Sequence, residues 1–357
     1  MSFLFSLFLF LFCNNESTSL RIIQYNAEWL FLNYYEPMDC PGAGCSWKNT
    51  THAYDHLNRF ASRLGPLDGD IINVCEVQGV FELDKTIQSM NVFKLNKTEN
   101  PKNPNNTKTK YQSFFVPGTD TSTNQNVGLI SKYKPLTQTR TNNTAIYPVD
   151  NSTCGYTGDR MTDVSKHYIT SFSFKDNFGD DIDGANKNKT KTNKTLTIIA
   201  AHLIAIPDDI ERCAKREAQA TILQQIVFDA TSVGHEVILM GDLNDYDGST
   251  LDINSNIPLS STLDILKGAA GKYKDAYSLV NLANYVLPEN RYSDWWDSKG
   301  DCGLSANDYS MIDHVLVTPN IEKSLIRIAV DHGYDEFCDK LDSDHYPVIV
   351  DLDIDIV

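Results

Sequence analysis

Ten short segments of alternating apolar and polar residues run through the chain, and several of them break their apolar face with a carboxylate, an amide or an imidazole at or near the segment end. They are LRIIQYNA (20 to 27), DIINVCEV (70 to 77), KYQSFFV (110 to 116), NVGLIS (126 to 131), HYITSFSF (167 to 174), TLTIIAAHL (195 to 203), EVILMGDLN (236 to 244), SMIDHVLVT (310 to 318), SLIRIAV (324 to 330) and YPVIVDLDI (346 to 354). Alternation of this kind predicts β-strands. Two amphipathic helices are expected between them. One runs from about His52 to Leu64 with Gly65 as its stop, and the other begins near Pro207 and continues through ERCAKREAQATILQQIVFDA; both read as outer-layer helices on a strand-rich α/β chain.

A carboxylate or imidazole at the end of an apolar strand costs free energy unless it is paired or coordinated. Here the pattern recurs: Asn26 follows IIQY, Glu76 follows IINVC, His202 follows TIIAA, Asp242 and Asn244 follow VILMG, and Asp313 interrupts SMIDHVLV. One such residue is an ordinary satisfied core group. Six of them, with Asp344 and His345 in SDHYP close to the C-terminus, point to one polar site assembled from many strand ends.

Length and composition allow this. The chain has 357 residues, 41% hydrophobic and 22% charged, which suits a globular protein with a real core. Two insertions, 95 to 110 and 175 to 195, are rich in Asn, Lys, Thr and Asp and read as exposed loops between strands rather than as linkers. With no repeat and no boundary in between, the expected organisation is a leader over residues 1–17 and one domain over 18–357.

The leader reading rests on the apolar run from Phe3 to Leu11, interrupted only by Ser6: too short to span a bilayer, and suited to a signal peptide. Sequons at Asn49, Asn96, Asn105, Asn142, Asn151, Asn188 and Asn193 agree with a secretory route, extracellular or lumenal, with no transmembrane anchor. Removing the leader with Cys13 leaves seven cysteines, of which Cys75 lies in an apolar run as a buried thiol. The six others allow fifteen pairings. Cys40 with Cys45 is the best supported, and Cys154 with Cys213 and Cys302 with Cys338 complete that set.

The ordered motifs QYNAEWL, NVCEVQ, QNVGLIS, AAHLIAIP, MGDLNDYDG, YSMIDHVLV and SDHYP, spread from residue 24 to 347, resemble those of the endonuclease/exonuclease/phosphatase superfamily typified by pancreatic deoxyribonuclease I. The resemblance implies a four-layer α/β/β/α sandwich, two mixed β-sheets face to face with helices outside, and an active site at one edge of the sheets. It also implies roles. Glu76, with Asn26 and Asp344, would offer hard oxygens to Mg²⁺ or Mn²⁺, with a structural Ca²⁺ left open. Asp313 would orient His345, the base or electrostatic partner of the attacking water; His202 would stabilise the phosphate or protonate the leaving group; Asp242 would orient the nucleophile; Asn244 would bind a phosphate oxygen. If extended, Asp344 and His345 would point to opposite faces, one to the metal and one to the phosphate.

Two positions depart from the family pattern. The partner expected for His202 falls on KYQSFF, which offers Tyr111 and Gln112 where deoxyribonuclease I has a glutamate, and the family's phosphate-gripping arginine is replaced by Lys166 or, second, Arg160. His314 is expected to face away from Asp313 and to be structural.

The expected activity is therefore that of a secreted, divalent-metal-dependent phosphodiesterase, an endonuclease acting on DNA or RNA, monomeric. A net charge of −16 argues against extensive phosphate contacts without excluding a nuclease. A sphingomyelinase-like phospholipid phosphodiesterase is the alternative, with Trp295 and Trp296 in RYSDWWDSKG free to stack on bases, enter a lipid interface or simply pack. A catalytically inactive binding relative is disfavoured, because Glu76, His202, Asp242, Asn244, Asp313 and His345 are all present.

Overall fold

The computed structural model describes residues 19–33, 47, 49–97, 110–176, 193–297, 305–333 and 342–357. The leader, most of both Asn/Lys-rich insertions, and Cys40, Cys45, Cys302 and Cys338 lie outside the described residues.

All ten segments contribute strands. Sheet one contains β1 (Leu20–Leu30), β2 (Ile71–Val77), β3 (Gln112–Phe114), β4 (Asn126–Ser131), β15 (Leu325–Val330) and β16 (Val348–Leu352), in the order β15-β16-β1-β2-β4-β3. Sheet two contains β5 (Thr137–Thr139), β8 (His167–Asp176), β9 (Asn193–His202), β10 (Glu236–Asp242), β11 (Val280–Asn281), β14 (Asp313–Val317) and β17 (Ile354–Ile356), in the order β11-β14-β10-β9-β8-β17 with β5 beside β8. Two small ribbons stand apart, β6 (Thr144–Tyr147) with β7 (Arg160–Asp163), and β12 (Asp294–Trp295) with β13 (Tyr309–Ser310).

Alternation along the strands divides the apolar residues between layers. Ile22, Ile198, Ile238, Met240 and Val350 fill the core between the sheets. Their sequence neighbours Ile23 and Ile349 face helices α1 (Thr50–Leu67) and α2 (Val80–Lys97), while Ile199 and Leu239 face α3 (Ile210–Ser232) and α4 (Thr262–Lys267). A strand buried on both faces is apolar along nearly its whole length, as VILM is throughout and IINVC is but for Asn73. The four layers are the α/β/β/α sandwich expected; a one-turn helix, α5 (Pro319–Lys323), completes the α-helices among the described residues.

Three details differ from expectation. Helix α1 starts after Asn49, whose side chain accepts from the His52 amide, and runs through Gly65 to end at Asp68 in the left-handed conformation. Gly65 is a contact point instead of a stop: a Cβ there would sit 3.2 Å from the Met90 carbonyl oxygen of α2, so its bare backbone lets the two helices close together. Helix α2 itself was not expected, although Leu83, Ile87 and Met90 recur at helical spacing and are buried against sheet one.

Each large sheet contains one parallel pair, β1 with β2 and β9 with β10; the other strand pairs are antiparallel. A parallel pair needs a crossover, supplied by α1 and α3. It sets two C-terminal strand ends side by side: Asn26 lies opposite Cys75, next to Glu76, and His202 lies opposite Asp242. The antiparallel neighbours then begin where these strands end, so that Asp313 is in register with Asp242.

The Cys154–Cys213 disulfide ties the loop after β6 to α3 with a separation of 59 residues. Replacing both cysteines by serine is expected to lower stability by about 2–4 kcal/mol through the enlarged unfolded ensemble. Urea unfolding of the double variant checks this, and an unchanged midpoint would contradict it.

Candidate active site

Inward-facing positions of four strands converge at one edge of the inter-sheet core. Along β1 these positions are Ile22, Gln24 and Asn26; along β9, Ile198, Ala200 and His202; along β10, Ile238, Met240 and Asp242; along β14, Asp313, Val315 and Val317. The polar residue is the outermost inward position of each strand. Glu76 does not fit this alternation, because Cys75 already faces inward. The register of β1 and β2 shifts beyond Asn26 and Cys75, and Glu76 takes φ 61°, a bulge that turns its carboxylate into the site. Glu28 and Asn244 also have positive φ, at 48° and 51°, backbone strain of the kind found at functional sites.

Asn26 is the central donor. Its Nδ2 lies 2.9 Å from Asp242 Oδ2, 3.3 Å from Glu76 Oε1 and 3.3 Å from His345 Nε2. Its Oδ1 instead accepts from the Glu28 amide at 3.0 Å. In this arrangement the Asn26 amide bridges the acidic groups through Nδ2, while Glu28 accepts the Asp344 amide at 3.1 Å and Glu76 Oε2 accepts the Trp29 amide at 3.1 Å.

His345 Nδ1 lies 2.7 Å from Asp313 Oδ2, and its Nε2 is within 3.6–3.8 Å of Asp242, Asp294 and Asp344. Asp344 and His345 do not point to opposite faces. Residues 343 to 346 form a turn rather than a strand, with Ser343 Oγ donating to the Asn26 carbonyl and accepting the His345 amide, so both side chains enter one site. His202 Nε2 lies 3.5 Å from Asp242 and 3.8 Å from Glu76. Neither Tyr111 nor Gln112 partners it: the Tyr111 hydroxyl bonds Asp68 and the Gly69 carbonyl, and His202 Nδ1 has no hydrogen-bond partner among the described residues. Lys166 Nζ reaches His202 Nε2 at 3.5 Å and donates to Gln125 Oε1 at 3.1 Å, whereas Arg160 pairs with Glu211 on the surface. Asn244 donates from Nδ2 to the Leu203 carbonyl. His314 faces outward to Asn281 and the Asp245 carbonyl.

The loops after β9 and β10 are clamped together. Buried Arg216 of α3 pairs with Asp245 at 2.9 Å and donates to the carbonyls of Ile204, Ile206 and Pro207.

Asp294 was not anticipated. It sits on β12, held by Ser310 Oγ at 3.0 Å, in the segment whose two tryptophans drew attention. Trp295 is buried and packs; Trp296 is 64% exposed. A sequence signal for Asp294 is hard to name, since DWWDSKG offers two aspartates and no strand pattern.

Electrostatically the site is crowded with acid. Burial, then the facing Asp313 and Glu76 charges, raise Asp242 to about 7; burial, then Asp294 and Glu76, raise Asp344 to about 7; Asp294 rises to about 7 mainly by burial. Glu28 is pushed well up by burial and by Asp344 and Glu76. Burial pulls His345 down, but Asp313, Asp242 and Asp344 outweigh it and hold the imidazole well above its usual range. His202 goes the other way, lowered by burial, Lys166 and His345.

Two groups have ligand atoms mutually within 4.8 Å: Glu76, His202 and Asp242, and Asp294, Asp344 and His345. Each group pairs two carboxylates with one imidazole, a donor set that can hold a divalent cation, and Glu28 stands near the Asp344 and Glu76 charges, one from each group. Because the folded values of Asp242 and Asp344 lie above their unfolded ones, these groups stabilise the metal-free protein most at low pH and withdraw that contribution as pH climbs through about 7, and Glu28, also raised, acts in the same direction. Protons and cation compete, so the rise in Tm on adding Mg²⁺ is expected to be small at about pH 5 and large at about pH 8. Calorimetry at both pH values checks this; equal shifts would count against it.

No family model and no curated protein sequence matches the chain. Solved structures do. The Xenopus laevis APE2 catalytic domain superposes with a TM-score of 0.55 at 16% identity, covering 95% of this chain and 93% of that one. An endonuclease/exonuclease/phosphatase family protein from Leptotrichia buccalis gives 0.51 at 14% identity, covering 95% and 99%. The human Nocturnin catalytic domain with bound sulfate gives 0.50 at 12% identity, covering 95% and 94%. The chain has the fold of the endonuclease/exonuclease/phosphatase superfamily.

Proposed function

We propose that this protein is a divalent-metal-dependent phosphodiesterase that acts on nucleic acid. The observation that carries the reading is the Asp313–His345 pair at 2.7 Å, set beside Asp242 and further carboxylates, with His202 3.5 Å from that same Asp242 and Lys166 next to His202. Phosphodiester hydrolysis needs a base for water, positive charge against the developing phosphorane, and a stabilised leaving oxygen. Asp242, raised to about 7, is suited to accept the proton of water near neutral pH. His345, held protonated by Asp313, donates from Nε2 to a phosphate oxygen. Its high pKa favours the electrostatic role over that of base. Lys166 and the neutral His202 offer donors to the phosphate or the leaving oxygen, and Asn244 sits beside them. A Mg²⁺ or Mn²⁺ ion held at the acidic groups that include Glu76 and Asp344 would supply further positive charge at the phosphate.

The reading extends to a secreted protein. The Cys154–Cys213 bridge is of the kind that oxidising compartments sustain, and the apolar run from Phe3 to Leu11 has the length of a signal-peptide core. Among the described residues no helix is long and apolar enough to cross a membrane.

Nicking of supercoiled plasmid by the purified protein in Mg²⁺ tests the function. EDTA is expected to abolish it, and His345→Ala to lower the rate about 10²–10⁴-fold. Intact plasmid and intact RNA in the presence of Mg²⁺, with sphingomyelin cleaved instead, would replace the nucleic-acid reading by the phospholipid one.

A further inference from the structure

We propose that Gln24 is a positioning residue for the Asp313–His345 pair, acting on it from the opposite sheet. The proposal rests on the functional reading above for its catalytic consequence, and on geometry alone for its structural one.

Gln24 belongs to β1 in sheet one and is fully buried. By alternation it occupies a place between the sheets that the pattern of Ile22, Ile198 and Met240 would fill with an aliphatic side chain. Its Nε2 crosses the sandwich and donates to Asp313 Oδ1 of sheet two at 3.0 Å. Its Oε1 accepts from Nδ2 of Asn73, the residue in register with it on β2 and equally buried. The two contacts fix the orientation of the amide: a carboxylate demands the N–H end, and the Asn73 donor demands the oxygen end.

Asp313 is thereby held at both oxygens. Oδ1 takes Gln24; Oδ2 takes Ser293 Oγ at 2.9 Å and His345 Nδ1 at 2.7 Å. Ser293 Oγ also accepts the amides of Ile312 and Asp313, which fixes the backbone from which the carboxylate projects. Rotating the carboxylate would break the bond to Gln24 as well as the bond to His345. A buried amide pair in an apolar interlayer is costly, the more so because Asn73 Oδ1 has no hydrogen-bond partner among the described residues and the further contacts of both amides are long ones to Cys75 Sγ, and the chain keeps two such residues where an aliphatic pair would pack at no such cost. Their shared outlet is Asp313. The relay Asn73, Gln24, Asp313, His345 therefore starts in sheet one, passes through sheet two and returns to the turn before β16, so that the imidazole is aimed by both halves of the sandwich.

The test uses the full chain and two readouts. In the proton NMR spectrum, the low-field hydrogen-bonded Nδ1–H of His345, identified by its loss in His345→Gln, is expected to move upfield or to vanish by exchange in Gln24→Leu. In turnover of a plasmid or a small diester with Mg²⁺, Gln24→Leu is expected to lower kcat about 10–100-fold with KM nearly unchanged, since only the alignment of a reacting group is lost. In an Asp313→Asn background the same substitution should alter kcat by less than about twofold, because coupled residues are not additive. If Gln24→Leu does not fold, Gln24→Asn keeps a buried amide that is one methylene too short to reach Asp313, and the same readouts apply. An unchanged His345 resonance with unchanged kcat, or an equal loss in both backgrounds, overturns the proposal. A wild type that shows the resonance yet turns over no phosphodiester overturns the functional reading alone, and the effect of Gln24→Leu on the resonance still decides whether Gln24 holds Asp313.

Discussion

Six carboxylates, those of Glu28, Glu76, Asp242, Asp294, Asp313 and Asp344, meet at one edge of an apolar interlayer, and the rest of the architecture accommodates their repulsion. Like charges this close and this shielded from water cannot all ionise without positive charge among them. Among the described residues the site offers Lys166 and the two imidazoles for that purpose, along with neutral donors: Asn26, Gln24, Ser293, Ser310 and the amides of Trp29 and Asp344. Burial first, and then the neighbouring carboxylates, hold Asp242, Asp344 and Asp294 above the usual carboxylate range. Such a site favours whatever brings positive charge, whether protons at low pH or a divalent ion at neutral pH.

Only a particular topology can gather those groups. An antiparallel sheet alone brings strand ends and strand starts together in alternation, while a parallel pair places two C-terminal ends next to each other. One parallel pair in each sheet, face to face, puts Asn26 and Glu76 across from His202 and Asp242, and the antiparallel neighbours contribute Asp313 and the turn that carries His345. Helices α1 and α3 are the crossovers that such pairs require. Helix α3 does more, since Arg216 binds the two loops that leave β9 and β10 and so fixes the rim around His202 and Asn244.

Much of this is written locally in the chain. Where an inward position alternates strictly, as in IIQYN, TIIAAH and VILMGD, the polar terminus announces itself against the apolar residues two and four places earlier. What escaped a sequence reading depends on breaks in that alternation or on pairing with distant segments. Glu28 lies beyond a bulge, where two residues with positive φ reverse the expected faces. Asp294 reaches His345 through a bridge between 294 and 345 that no local pattern specifies. The error over Asp344 and His345 has the same origin, because alternation was applied to residues that Ser343 folds into a turn. Helix α2 is a different case: its apolar spacing is legible, but it is short of charged contrast and merges into an Asn/Lys-rich insertion.

The two histidines show how position alone divides one side chain into two chemistries. His345 has a carboxylate on Nδ1 and three more around Nε2, so the field of the acids outweighs burial and holds its pKa well above the usual imidazole range. His202 is the more deeply buried of the two, faces Lys166 and His345 and lacks a partner on Nδ1, so burial prevails and its pKa falls well below the usual range. A phosphate lying between them would meet a charged donor on one side and, on the other, a neutral ring beside a lysine whose own pKa burial has lowered. This asymmetry suits a reaction in which one oxygen of the phosphorus centre gains a bond while another loses one, since the two flanks of the centre need opposite proton inventories. It arises from which strand ends are neighbours, and therefore from the pairing of the sheets.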